Sequence, residues 1–93
     1  RRGDGVEEMA VAYSKKSGIR MRAYTDCVGV QFYAGNFIGN QAGKSSAVYQ
    51  KRSGFCLESQ FYPNAVNTPE FPSPVLRVGE KYDSTTIYQF DVI

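Results

Sequence analysis

Apolar and polar residues alternate most cleanly over Ile19-Arg20-Met21-Arg22-Ala23-Tyr24-Thr25. A period of two is that of a strand with one face turned inward, so Ile19, Met21 and Ala23 share one face and Arg20, Arg22 and Tyr24 the other. The arginines are expected on a solvated face. Met9-Ala10-Val11-Ala12-Tyr13 reads as the preceding strand, closed by Lys15-Lys16-Ser17-Gly18, which ends in the glycine that a tight hairpin favours. Downstream, Asp26-Cys27-Val28-Gly29 reads as a turn. Val30 to Phe37 reads as a strand in which Gly35 signals a bulge or a close backbone approach.

Two further strands are expected, Phe55 to Gln60 after Gly54 and a long one from Tyr82 to Ile93. In the latter, Thr86, Tyr88, Phe90 and Val92 share a face. Val75-Leu76-Arg77 reads as a short strand, followed by a turn at Val78-Gly79-Glu80-Lys81. Between Phe61 and Pro74, Pro63, Pro69, Pro72 and Pro74 interrupt regular structure, though Asn64-Ala65-Val66-Asn67 suits one helical turn. The lead-in 1–5 is polar and glycine-rich and is expected to be loose. With about six strands and little or no helix, the fold class is all-β, antiparallel and sandwich-like.

The chain has 93 residues, so residues 1–93 form a single segment of at most one domain. Its net charge is +2 with scattered basic residues, which gives no stripe for nucleic acid. No apolar run is long enough to span a membrane as a helix, and no secretory signal is recognisable. Cys27 and Cys56 read as two thiols rather than a disulfide framework, which favours an intracellular, cytoplasmic setting. There is no histidine. The chain starts with Arg1 instead of methionine, and a trimmed, processed or excised piece is expected on that ground.

Three local motifs invite chemistry. Arg2-Gly3-Asp4 spells an integrin-binding tripeptide, too short to carry weight outside a presented loop. Gly43-Lys44-Ser45 suggests a phosphate loop, but the spacing requires glycine where Ile38 stands, and no helix pattern follows. Nucleotide binding is rejected. The third is the pair of strands Val30–Phe37 and Phe55–Gln60. With their apolar sets inward, Gln31, Tyr33, Glu58 and Gln60 would share one surface. Carboxylate, amide and aromatic groups together suit a sugar, with hydroxyls to bond and a C–H face to cover. Periodicity alone favours reading Glu58 as a solvated carboxylate on an exposed sheet face.

The order of local motifs favours the first reading. Gly29-Val-Gln-Phe-Tyr-Ala-Gly-Asn-Phe37, Gly43-Lys44, Ala47-Val48-Tyr49 and Ser53-Gly-Phe-Cys-Leu-Glu-Ser-Gln60 follow one another, then Pro63-Asn64-Ala65-Val66-Asn67, Phe71-Pro72, Leu76-Arg77, Gly79-Glu80 and Tyr82-Asp83. This series, from about Val11 onward, resembles the C-terminal part of the aldose 1-epimerases (galactose mutarotases).

That resemblance implies a galactose mutarotase-like β-supersandwich of which this chain is the C-terminal portion. It also implies interconversion of the α and β anomers of aldohexoses such as galactose and glucose by general acid–base ring opening, with no cofactor and no metal. On the family's pattern, Glu58 is the catalytic base and Gln31 lies close to the sugar. Gln60 matches a recurrent residue without a direct role. The departures are Ser59 for a usual threonine, Ala34 where threonine is commoner, and Cys27-Val28 for a usual Gln-Pro. The family's acid is a histidine, and it lies upstream of the matching region together with further sugar contacts. The expected partners are therefore a monosaccharide and the N-terminal portion of the same protein, present as a separate chain. The segment alone is expected to be nearly inactive. The competing readings are a non-catalytic carbohydrate-binding β-domain, an epimerase of hexose 6-phosphates (for which an arginine cluster is lacking), and a processed fragment held by a partner chain.

Overall fold

The structure, a computed structural model, describes residues 5–93. Of the lead-in, only Gly5 falls among these, and the Arg2-Gly3-Asp4 tripeptide lies outside the described residues. The main elements are antiparallel strands with two single 3₁₀ turns, so the fold is all-β as expected.

Strands β1 (Glu7–Tyr13), β2 (Ile19–Thr25) and β7 (Thr86–Val92) form one sheet in the order β1-β2-β7. The β1–β2 hairpin closes where expected. Gly18 takes a φ of +75°, its N–H donates to Ser14 O at 2.8 Å, and Ser14 N–H donates to Ile19 O at 3.1 Å. A residue with a Cβ is disfavoured in that left-handed conformation. β1 begins two residues earlier than its apolar pattern suggests and shifts register between Glu8 and Ala10.

The alternation in β2 divides the sheet's faces as expected. Met21, Ala23 and Thr25 stand opposite Phe90, Tyr88 and Thr86 on one side. Arg20 and Asp91 face one another on the other side, where the guanidinium grips the carboxylate with two hydrogen bonds. Arg22 Nη1 donates to Glu8 Oε2 at 3.1 Å. The arginine face is therefore a surface of paired charges and not simply a solvated one.

β3 (Gly29–Tyr33) and β6 (Cys56–Gln60) make a second, two-stranded sheet. β3 stops four residues short of the expected Phe37. Gly35 explains this: it has a φ of +76°, and a Cβ there would sit 2.6 Å from Gly54 O. Its carbonyl also accepts from Arg52 N–H at 2.9 Å. The expected close backbone approach is thus the end of the ladder. Further along, β4 (Gln41–Ala42) pairs with β5 (Val48–Tyr49) around the 3₁₀ turn Lys44–Ser46. Gly43-Lys44-Ser45 thus enters one three-residue turn, which lacks the helix of a phosphate loop.

The other 3₁₀ turn, Ala65–Asn67, falls where one helical turn was expected. Val75-Leu76-Arg77 forms no strand. Arg77 N–H instead donates to Glu80 Oε1 at 2.7 Å around the turn at Val78-Gly79. The final strand starts at Thr86, not Tyr82. Just before it, Asp26 Oδ1 accepts from Ser84 Oγ and Thr85 N–H, both at 3.0 Å, where the expected alternation would need Thr85 N–H and Ser84 to continue a ladder.

The two larger sheets meet through Ser59 and Thr86, whose hydroxyls lie 3.2 Å apart. Little else is enclosed. The buried apolar residues among those described are Ala23, Val28 and Ala65. Phe37 is 91% exposed and Val92 79%. The radius of gyration is 16.6 Å, against ~12 Å for a compact domain of this length. A groove of about 700 Å³ runs along β6 from Phe55 to Ser59, floored by Met21, Tyr88 and Phe90. No helix of the described residues is long and apolar enough to cross a membrane.

Candidate active site

The β3–β6 register decides which side chains meet. Gly29 stands opposite Gln60, Gln31 opposite Glu58, and Tyr33 opposite Cys56. Directly opposed residues in an antiparallel pair share a face, with Cβ atoms about 4.5–5.5 Å apart. The ladder therefore brings Gln31 and Glu58 together, with Tyr33, Cys56 and Gln60 on the same surface. Val30, Phe32, Leu57 and Ser59 take the opposite face, where Ser59 reaches β7 and Phe32 lies 6.1 Å from Phe55, ring centre to ring centre.

Local sequence sets this geometry. Gly54 and the Pro63 region bound β6, and apolar Leu57 alternates with polar Glu58, so one-residue slippage would turn the carboxylate toward β7. Both Glu58 and Gln31 are exposed. Among the described residues no hydrogen-bond donor engages the Glu58 carboxylate. The Gln31 amide makes one long contact, from Nε2 to Phe32 O at 3.5 Å. The two side chains are thus available to a ligand.

Aromatic rings bound the surface at both ends. At one end, the Tyr62 ring lies 3.1 Å from where a Cβ on Gly29 would project, so only glycine leaves room for it without displacement. Tyr62 in turn packs against Phe71, with centroids 5.0 Å apart. At the other end, Tyr33 and Phe37 stack with rings 9° from parallel, and Tyr33 Oη accepts from Phe37 N–H at 2.9 Å. Phe37 ends the expected strand and shares the parity of Gln31 and Tyr33, but lies outside the observed ladder. Tyr62 lies beyond the expected strand Phe55–Gln60, where only its being an aromatic residue near the strand end could have pointed to it. Cys27 and Cys56 are both thiols. No group of three or more His, Cys, Asp or Glu side chains is placed to hold a metal ion among the described residues.

An exposed carboxylate thus stands beside an amide on a strand surface flanked by aromatic rings. Comparison with known proteins gives the family. The family profile described as Aldose 1-epimerase matches residues 3–89, and the chain belongs to that family. It is 56% identical to galactose mutarotase of Homo sapiens over 77 residues, covering 82% of this chain and 22% of that protein. It is 52% identical to galactose mutarotase of Mus musculus over the same length and shares. To aldose 1-epimerase of Escherichia coli (strain K12) it is 40% identical over 91 residues, covering 96% of this chain and 26% of that protein. The chain thus spans about a quarter of the length of these relatives.

Proposed function

We propose that the intact protein is a mutarotase that interconverts the α and β anomers of an aldohexose such as galactose or glucose, and that this chain supplies its base. The observation that carries the reading is the opposition of Gln31 and Glu58 in a chain of the aldose 1-epimerase family. Glu58 takes the proton of the C1 hydroxyl. Electrons from that O–H bond form the aldehyde, and the bond from C1 to the ring oxygen breaks as the ring oxygen gains a proton. Rotation about C1–C2 presents the other aldehyde face. Reclosure then returns the proton from Glu58 to the C1 oxygen and releases the one on the ring oxygen. Gln31 can both donate to and accept from sugar hydroxyls, which suits it to hold the ring during rotation.

The reaction moves only protons and so calls for no cofactor. On the pattern that the family resemblance implies, the ring oxygen's proton comes from a histidine; the 93 residues include none, so this acid belongs to the upstream portion. The upstream portion also covers the apolar surface that this chain leaves exposed. Support for that comes from the expanded radius of gyration, the open groove beside β6 and the fraction of the relatives' length that the chain spans. In this reading residues 1–93 are the C-terminal part of a larger β-sandwich.

Polarimetry on freshly dissolved α-galactose tests the reading. The intact protein should accelerate mutarotation, and Glu58→Gln should lower kcat by about 10²–10⁴-fold while sugar affinity stays near wild type. An inert intact protein, or a Glu58→Gln variant with full activity, overturns it.

A further inference from the structure

We propose that Thr86 is a positioning residue for Glu58, acting across the sheets through Ser59; this rests on the assignment of Glu58 as the base. Thr86 stands at the centre of a line of hydroxyls. Cys27 N–H donates to Thr25 Oγ1 at 3.1 Å, Thr25 Oγ1 lies 3.2 Å from Thr86 Oγ1, and Thr86 Oγ1 lies 3.2 Å from Ser59 Oγ. Each hydroxyl has one proton and two lone pairs, so the line is satisfiable from end to end. Its anchor is secure: Thr25 is fully buried, with 0% exposure, on the central strand of its sheet. A buried hydroxyl is costly unless it is bonded, which holds Thr86 in place.

Ser59 directly follows Glu58 in β6. Leu57, on the other side of Glu58, accepts a long hydrogen bond at its carbonyl from Tyr88 Oη at 3.5 Å. Both chain neighbours of the carboxylate are therefore tied to β7. Beyond these two bonds, β6 faces apolar Met21 and Phe90 across the groove. Apolar contact resists separation but tolerates sliding, whereas a hydroxyl pair fixes one atom against another. Thr86 thus sets the height of Glu58 above β7 and the placement of β6 along β7. A carboxylate displaced by about 1 Å loses up to 10²-fold in rate.

The test uses the intact protein, assayed by polarimetry over a range of sugar concentrations. Thr86→Val, which removes the hydroxyl at nearly constant volume, should lower kcat about 10-fold or more with KM within about twofold of wild type. Thr86→Ser, which restores the hydroxyl, should recover most of the loss. If Thr86→Val fails to fold, Ser59→Ala breaks the same contact from its other partner and should show the same split. Where both single variants fold, the double variant should be no slower than the worse single one. A Thr86→Val enzyme at wild-type kcat, a Thr86→Ser enzyme as slow as Thr86→Val, or multiplying losses in the double variant overturns the proposal. Glu58→Gln run alongside separates the two readings. An inactive Glu58→Gln with a fully active Thr86→Val removes only the role of Thr86, and an active Glu58→Gln removes the assignment of the base itself.

Discussion

Gln31 and Glu58 occupy directly opposed positions in the β3–β6 ladder, an amide and a carboxylate on one exposed surface. If both serve the same ring, removing the amide should hurt binding and rate together. Gln31→Ala is expected to lower kcat/KM by about 10-fold, the scale of one lost hydrogen bond, and to raise KM. Wild-type kcat/KM in this variant would remove Gln31 from the sugar site.

The isolated 93-residue chain is expected to be a poor catalyst, slower than the intact protein by about 10²–10⁴-fold for want of a positioned acid. Adding the separately produced upstream portion should restore the rate. Rapid mutarotation by the 93 residues alone would contradict the division of base and acid between the two parts.

Gly35 combines a φ of +76° with a Cβ position 2.6 Å from Gly54 O. Gly35→Ala must therefore strain its own backbone or push the 52–54 segment away. A loss of about 1–3 kcal/mol is expected in urea unfolding of the intact protein. Gly39, beside which a Cβ meets nothing within 4 Å, serves as the comparison, and Gly39→Ala should be far milder. Equal midpoints for the two variants would contradict the close approach.

The hydrogen bonds from Arg20 hold the Asp91 carboxyl below its usual range, while the same bonds raise Arg20 further from any accessible titration. A depressed carboxyl pKa contributes stability above the unfolded value, ~3.9, and that contribution is lost as pH falls through the lower, folded value. Asp91→Asn should therefore be less stable than wild type at pH 7 and nearly equal to it at strongly acidic pH. Both groups are solvent-accessible, so added salt should shrink the difference at pH 7. A gap that widens on acidification would contradict the pairing.

The parts of the fold legible in the sequence are those fixed by local pattern. β2 has the bounds that its alternation gives, Ile19–Thr25, because Gly18 starts it and Asp26 turns the chain after it. The shared surface of Gln31 and Glu58 follows from the period of two, but their direct opposition is a matter of register, which one strand's pattern cannot supply. Tertiary contacts account for the differences. Ser84 Oγ and Thr85 N–H bond the Asp26 carboxylate just before β7, and Gly35 ends β3 because Gly54 lies against it. The β4–β5 ladder, two residues a side, is too short for any alternation to show. Val75-Leu76-Arg77 has the composition of a strand but no neighbouring strand to pair with among the described residues. Thr86 was visible only as a polar residue beginning an otherwise aromatic and apolar face. Its role depends on two hydroxyls, at positions 25 and 59, that are remote from it in sequence.

That remoteness has a consequence in time. Thr25 and Thr86 are separated by 61 positions, and Ser59 and Thr86 by 27. Strand pairing across such distances is slow compared with closing a hairpin such as β1–β2. The β3–β6 pairing is long-range too, since Gln31 and Glu58 are 27 positions apart. Until β7 docks on β2, no hydroxyl reaches Ser59 from the other sheet. On the proposed role of Thr86, the height of Glu58 is fixed only once β7 has docked on β2, so the two sheets must both be complete before the carboxylate is held.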